Sequence, residues 1–155
     1  MRVTFLGTGT SYGIPMPGCD CATCRSPDPR DRRFRTAIFV EAGDAALLID
    51  TPPDLRSQCL AHGIRRIDGV LMTHGHADHV FGFDDLRAYT NRMPDPMPVW
   101  ASAGTAATLR KIFDYLDQPP IPGTSLARID LRAADGPFEF RGFRLTPLPA
   151  EHGRA

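Results

Sequence analysis

The sequence reads as a mixed α/β domain, and three observations carry that reading. Short runs rich in aliphatic and β-branched residues recur along the chain, several of them bounded by Gly or Pro. Between them lie stretches whose apolar residues fall at helical spacing. The length, 155 residues, suits one domain with a core of its own, and no repeat or linker interrupts it.

Arg2 to Leu6 alternates polar and apolar residues and predicts a half-buried strand. Gly7-Thr8-Gly9-Thr10-Ser11 breaks it. A phosphate-cradling loop is one reading, but no Gly-Lys-Ser/Thr ending or helical pattern follows, so a tight glycine turn beside a site is preferred. Thr36 to Glu41 and Ala45 to Ile49 predict two strands joined at Gly43-Asp44. Asp50, at the end of the second, precedes Thr51-Pro52-Pro53 and is placed to hydrogen-bond a neighbouring loop. Asp54 to His62 predicts a short helix with Asp54 as N-cap and Gly63 as its stop.

Gly69 to Thr73 predicts a strand, and Phe83 to Tyr89 a short helix with Asp84 and Asp85 in its first turn. Met93 to Pro98 reads as a loop and Val99 to Ala101 as a buried strand. Thr105 to Leu116 carries the stripe Leu109, Ile112, Phe113 and Leu116, a core-facing helix ended by Pro119 to Gly123. Ala127 to Leu131, Phe138 to Phe140 and Phe143 to Leu148 predict strands, the last two joined at Gly142.

Lys+Arg and Asp+Glu balance at 18 each, so no overall field favours nucleic acid or a membrane surface. No apolar run is long enough to span a bilayer, and no signal peptide opens the chain, so a cytoplasmic protein is expected.

The chemistry is concentrated in His74-Gly75-His76-Ala77-Asp78-His79. Imidazole and carboxylate are the ligands of catalytic zinc. His74 and His76 stand two apart, so on extended backbone both side chains share a face, whereas on a helix they diverge. A turn after them aims Asp78 and His79 at a second point. Four ligands in so short a stretch crowd one tetrahedral ion and suit two neighbouring ions.

A second array, Cys19-Asp20-Cys21-Ala22-Thr23-Cys24, lies in a Pro- and Gly-rich loop. Three thiolates this close suit a structural zinc; a disulfide leaves an odd thiol and fits a cytosolic protein badly. The fourth ligand is not local. Cys59 and His62 are the in-chain candidates, although Cys59 lies on the same helical face as Leu55 and reads better as core. Arg25 to Arg35 is arginine-rich and interrupted by acids and prolines. It reads chiefly as a solvated loop, with Arg35 the best candidate for contacting a substrate phosphate.

The His-x-His-x-Asp-His turn, the Leu48-Ile49-Asp50-Thr51-Pro52 strand end and the Gly-Cys-x-Cys-x-x-Cys loop resemble the metallo-β-lactamase superfamily, and more narrowly its PhnP-like phosphodiesterase branch. The resemblance implies an α+β sandwich, the four-layer αββα fold, with about the first half in this chain as a single domain over 1–155. It implies that His74, His76 and His152 bind one catalytic metal and Asp78 and His79 a second, Asp78 doubling as the catalytic carboxylate. It makes Asp50 a support for the ligand turn and Cys19, Cys21 and Cys24 the holders of a structural zinc. His76, where iron-dependent redox relatives carry Glu, favours zinc or manganese.

The implied function is hydrolysis of phosphodiesters, cyclic ones included, by two metals that clamp an attacking hydroxide and a phosphoryl oxygen. The alternatives are a non-catalytic metal-binding fragment or a relative of the transfer-RNA 3′-processing nucleases, which the neutral charge disfavours. The family's bridging Asp, its last His and the His completing the cysteine site are not in this sequence, so a C-terminal truncation is expected. A small phosphodiester is the expected partner, with self-association through exposed sheet edges.

Overall fold

A computed structural model describes residues 1–119 and 123–152. One six-stranded sheet organises it, in the order β1 (Arg2–Gly7), β2 (Ala37–Ala42), β3 (Ala45–Ile49), β4 (Gly69–Leu71), β5 (Met97–Ala101), β6 (Ile129–Ala133). β1, β2 and β3 pair antiparallel; β3 through β6 pair parallel. The helices are α1 (Leu55–Ala61), α2 (Ala77–Val80), α3 (Arg87–Thr90) and α4 (Ala103–Ile112). A separate hairpin, β7 (Phe138–Phe140) and β8 (Phe143–Leu145), turns at Arg141 and Gly142, both at positive φ.

The sheet's two faces follow from strand periodicity. Phe39, Leu48, Val70 and Val99 stand in register across β2 to β5 and are 3% exposed or less. They pack with Leu55, Val80, Phe83 and Leu109 from the helical side. Burying each such side chain is worth about 1.5–3 kcal/mol, so this row is the principal stabilising layer.

The opposite face carries the row Phe5, Ile38, Ile49, Leu71 and Trp100. Here exposure falls from 60% at Phe5 to 5% at Trp100. The cause is the β7–β8 hairpin, which packs over Trp100, Leu71 and the Ala45 and Leu47 positions of β3 and leaves the Phe5 end open. Phe138 stacks on Trp100 at 5.0 Å and Phe140 meets it edge-on at 4.8 Å. Buried Asp68 fastens the same hairpin by accepting from Arg141 Nη1 at 3.1 Å while its other oxygen takes Ala46 N–H.

Strand β1 is half-buried as expected, with Leu6 2% exposed in the core, but Val3 and Phe5 lie on its open side. Val3 and Phe5 are 47% and 60% exposed, because the alternation selects a face that nothing in the described residues covers. An open apolar face on an edge strand favours association. We expect concentration-dependent self-association in sedimentation velocity, reduced by Phe5→Lys; a monomer at all concentrations in the parent chain would refute this.

Other departures are local. The strands predicted over Gly69 to Thr73 and Phe143 to Leu148 stop at Leu71 and Leu145, and the one over Ala127 to Leu131 shifts to Ile129–Ala133. β5 starts at Met97, inside the predicted loop. Pro98 is tolerated there because pairing with β4 begins only at Val99. The Phe83 to Tyr89 helix is a 3₁₀ turn, Phe83–Leu86, followed by α3. The Thr105 to Leu116 helix is α4, capped by Ser102 Oγ, then a break at Phe113 (φ −115°, ψ 71°) and a 3₁₀ turn. The break leaves Ile112 39% exposed, whereas Leu109 is fully buried and Phe113 and Leu116 pack on the core. The proposed end of this helix at Pro119 to Gly123 lies partly outside the described residues. Asp54 does not cap α1: its carboxylate turns instead to Arg35, taking Arg35 N–H and Nη1. No helix among the described residues is long and apolar enough to cross a membrane.

Candidate metal centre

The site sits at the carboxyl ends of the parallel strands, where open α/β sheets place their ligands. Asp50 leaves β3, Thr73 and the histidines leave β4, and Ser102 leaves β5. The backbone after β4 stays extended through His76 (φ −69°, ψ 148°). The expected turn at Asp78-His79 is in fact the helical turn α2, whose carbonyls at His76 and Ala77 accept the returning N–H groups of His79, Val80 and Phe81.

His74 Nε2 lies 3.1 Å from His76 Nδ1. Donor nitrogens of His74, His76 and His152 all lie within 4.8 Å of one another, and the ring centroids of His74 and His152 are 4.7 Å apart. Ligands about 2.0–2.1 Å from one tetrahedral zinc are about 3.3 Å apart, so this donor set fits such an ion. Asp78 and His79 form a neighbouring pair, with Asp78 Oδ2 3.5 Å from His79 Nε2. His74 and His79 rings stand 4.1 Å apart between the two groups.

Asp50 ties these parts together. It is 3% exposed, sits at φ 63°, and has its N–H on Leu71 O. Aspartate is among the few residues that enter this left-handed region readily. Its Oδ1 accepts from Thr73 N at 2.8 Å; its Oδ2 accepts from Thr73 Oγ1 and from His79 Nδ1, each at 2.7 Å. That hydrogen bond raises the His79 pKa. Burial, followed by the neighbouring His79 and His76, lowers that of His74, which keeps it neutral and able to ligate.

The turn is also pressed against α4. A Cβ on Gly75 would meet Thr108 Oγ1 at 3.0 Å and its Cβ and Cγ2 at 3.1 Å. Gly75→Ala should therefore displace the turn by a few tenths of an ångström and weaken zinc binding several-fold. Thr108→Ala, which removes two of the three contacts, should return part of that affinity in a calorimetric titration. A cleft of about 850 Å³ opens beside His74 and His79, with apolar walls from Ile49, Leu71, Trp100 and Leu148 and acids Asp135 and Glu151 on its lining. These two acids and Thr73 carry no motif and escape sequence reasoning; Thr73 is marked only by its place between a strand and the first histidine.

The cysteine array closes up as a second group, its Sγ atoms also within 4.8 Å of one another. Tetrahedral zinc sets thiolates about 3.8 Å apart, so the three fit one ion. The N–H of Cys24, then Cys19, lowers the Cys21 pKa. Met16 N–H donates to Cys24 Sγ, yet the adjacent thiols hold Cys24 up: three thiols resist sharing negative charge without a cation. Neither Cys59 nor His62 joins this group among the described residues; Cys59 is 7% exposed in the core. Arg35 does not present a free guanidinium. Its Nε donates to Ser11 O and its Nη1 to Asp54, so it fastens the Gly7–Ser11 loop to the start of α1.

Residues 46–155 match the family model for the Beta-lactamase superfamily domain. A Porphyromonas gingivalis protein named octanoyltransferase is 41% identical over 99% of this chain, but the match takes in only 31% of that protein. A crystal structure described as a new diphosphatase from the PhnP family superposes with TM-score 0.88 at 38% identity, covering 99% of this chain and 58% of that one. Zn(2+)-bound PqqB from Methylobacterium extorquens follows at TM-score 0.67 and 26% identity, over 90% and 48% of the two chains. This chain thus spans between about a third and three-fifths of the length of these relatives. With the sheet, the His74–His79 turn and the family match in agreement, the chain belongs to the metallo-β-lactamase superfamily and within it resembles the PhnP family.

Proposed function

We propose that this protein serves as a metal-dependent hydrolase of phosphodiester or related phosphoryl bonds. His74, His76 and His152 hold one zinc, Asp78 and His79 contribute to a second, and Cys19, Cys21 and Cys24 hold a structural zinc; manganese is the alternative at the catalytic positions. The observation that carries this is the convergence of three imidazole nitrogens within 4.8 Å beside the Asp78–His79 pair. Ions bound there supply Lewis acidity and a nucleophile at neutral pH.

The chain's own residues prepare the place. Asp50 holds His79 by Nδ1 and leaves Nε2 for ligation. The apolar walls of the cleft lower the local dielectric, which strengthens every charge interaction with a phosphoryl oxygen. The PhnP-family diphosphatase, at 38% identity, supports phosphorus as the reacting centre. The octanoyltransferase name is not carried over, because the match covers under a third of that protein.

A second reading has its own observation. Among the described residues only the His74, His76 and His152 group at this centre reaches three ligands, whereas Asp78 and His79 are a pair. That arrangement fits a chain that holds one ion without turnover. Metal analysis together with hydrolysis of bis(p-nitrophenyl) phosphate separates the two. Metal-dependent turnover supports the hydrolase; one ion at this centre and no turnover supports the second reading.

A further inference from the structure

Thr73 occupies a position between Asp50 and His74 that determines where protons sit. Its Oγ1 is 2.7 Å from Asp50 Oδ2 and 2.9 Å from His74 Nδ1. A hydroxyl has a single proton to donate, and an ionised carboxylate can only accept. The Thr73 proton therefore goes to Asp50, and toward His74 the hydroxyl can act only as an acceptor. His74 Nδ1 must be the donor. The same Asp50 Oδ2 accepts from His79 Nδ1, so that ring is also protonated at Nδ1.

We propose that Asp50 and Thr73 form one relay that sets both His74 and His79 in the Nδ1–H tautomer, with Thr73 the positioning residue for His74. Both Nε2 lone pairs then face the centre before an ion arrives. A single carboxylate oxygen thereby serves the His74 group directly through one hydroxyl and the Asp78–His79 pair without an intermediary. His76 is the contrast. Its Nδ1 faces the proton-free Nε2 of His74 at 3.1 Å, so it donates that contact, and neither Asp50 nor Thr73 sets its tautomer. The relay rests on the metal-centre reading for its purpose, and its tautomers can be read without metal.

The test is a set of imidazole nitrogen–proton correlation spectra of the whole metal-free chain, at a pH where the rings are neutral, followed by zinc titration. His74 and His79 should each show a protonated Nδ1 and an unprotonated Nε2. Thr73→Val should abolish that preference at His74 alone, leave His79 as in the parent, and lower zinc affinity about 10–100-fold, the usual cost of losing an outer partner. Thr73→Ser should restore both. Nε2–H at His74 in the parent, or a His74 tautomer indifferent to Thr73→Val, overturns the relay. A parent with the expected tautomers that fails to bind zinc leaves the relay standing and removes the metal-centre reading instead.

Discussion

Replacing His76 with alanine should remove the proposed zinc-dependent hydrolysis while leaving the fold intact. The imidazole is one of the closest-set donors at the centre, 3.1 Å from His74 Nε2. Its loss leaves His74 and His152 as a two-donor remnant of the three-histidine group. The structural duty of residue 76 is carried by its backbone, whose carbonyl accepts from His79 N at 2.9 Å and Val80 N at 3.2 Å, and alanine keeps both bonds. We therefore expect metal-free stability within about 0.5 kcal/mol of the parent in denaturant melts. Zinc affinity should fall by more than the roughly 10–100-fold typical of an outer partner, and turnover of bis(p-nitrophenyl) phosphate should drop to background. Turnover equal to the parent would remove His76, and with it the proposed centre, from the mechanism.

Why His76 was visible in the sequence, and Thr73 was not, comes down to range. The His-x-His spacing and the ligand types are local, so they can be read from six consecutive residues. The part played by Thr73 depends on Asp50, 23 residues away, and therefore on β3 and β4 lying side by side. Arg35 is the converse: its run of arginines reads as available charge, and only the fold shows Asp54 and Ser11 occupying it.

The strands of the sheet were legible from short apolar runs bounded by turn residues, with alternation added at β1, and β3 matches its expected bounds residue for residue. Which face is covered was not, because alternation assigns Phe5 and Trp100 to one side without saying that a hairpin reaches only the latter. Helix α2 escaped because four residues are too few to carry a periodic signal; it forms on tertiary contacts, with Val80 fully buried.

Gly82→Ala should be among the most damaging substitutions at a glycine, together with Gly7→Ala, whose Cβ would stand 2.0 Å from Arg35 O. Gly82 sits at φ −91°, an ordinary conformation, so the requirement is for space and not for a left-handed turn. A Cβ there would stand 2.0 Å from Pro52 O and 2.9 Å from Pro52 C. The obstacle is backbone, and it cannot swing aside freely: Pro52 O accepts from Leu55 N at 2.9 Å at the start of α1. On either side, Gly82 N donates to Thr51 O and Thr51 N to His79 O, each at 2.8 Å, which zips the segment after Asp50 to the exit of the metal turn. Overpacking ordinarily costs about 1–3 kcal/mol and more where relief is blocked, so about 3 kcal/mol is the expected floor. For a chain of this size that lowers the melting temperature by roughly 6–12 °C. Gly104→Ala in α4 is the control, since its Cβ would meet nothing within 4 Å, and it should be neutral or stabilising by up to about 1 kcal/mol. Because the zipped segment holds His79 against Asp50, zinc affinity should fall with stability in Gly82→Ala and stay unchanged in Gly104→Ala. A Gly82→Ala chain that melts with the parent would mean that the Thr51–Gly82 contact yields without cost, and that the metal turn is held by Asp50 alone.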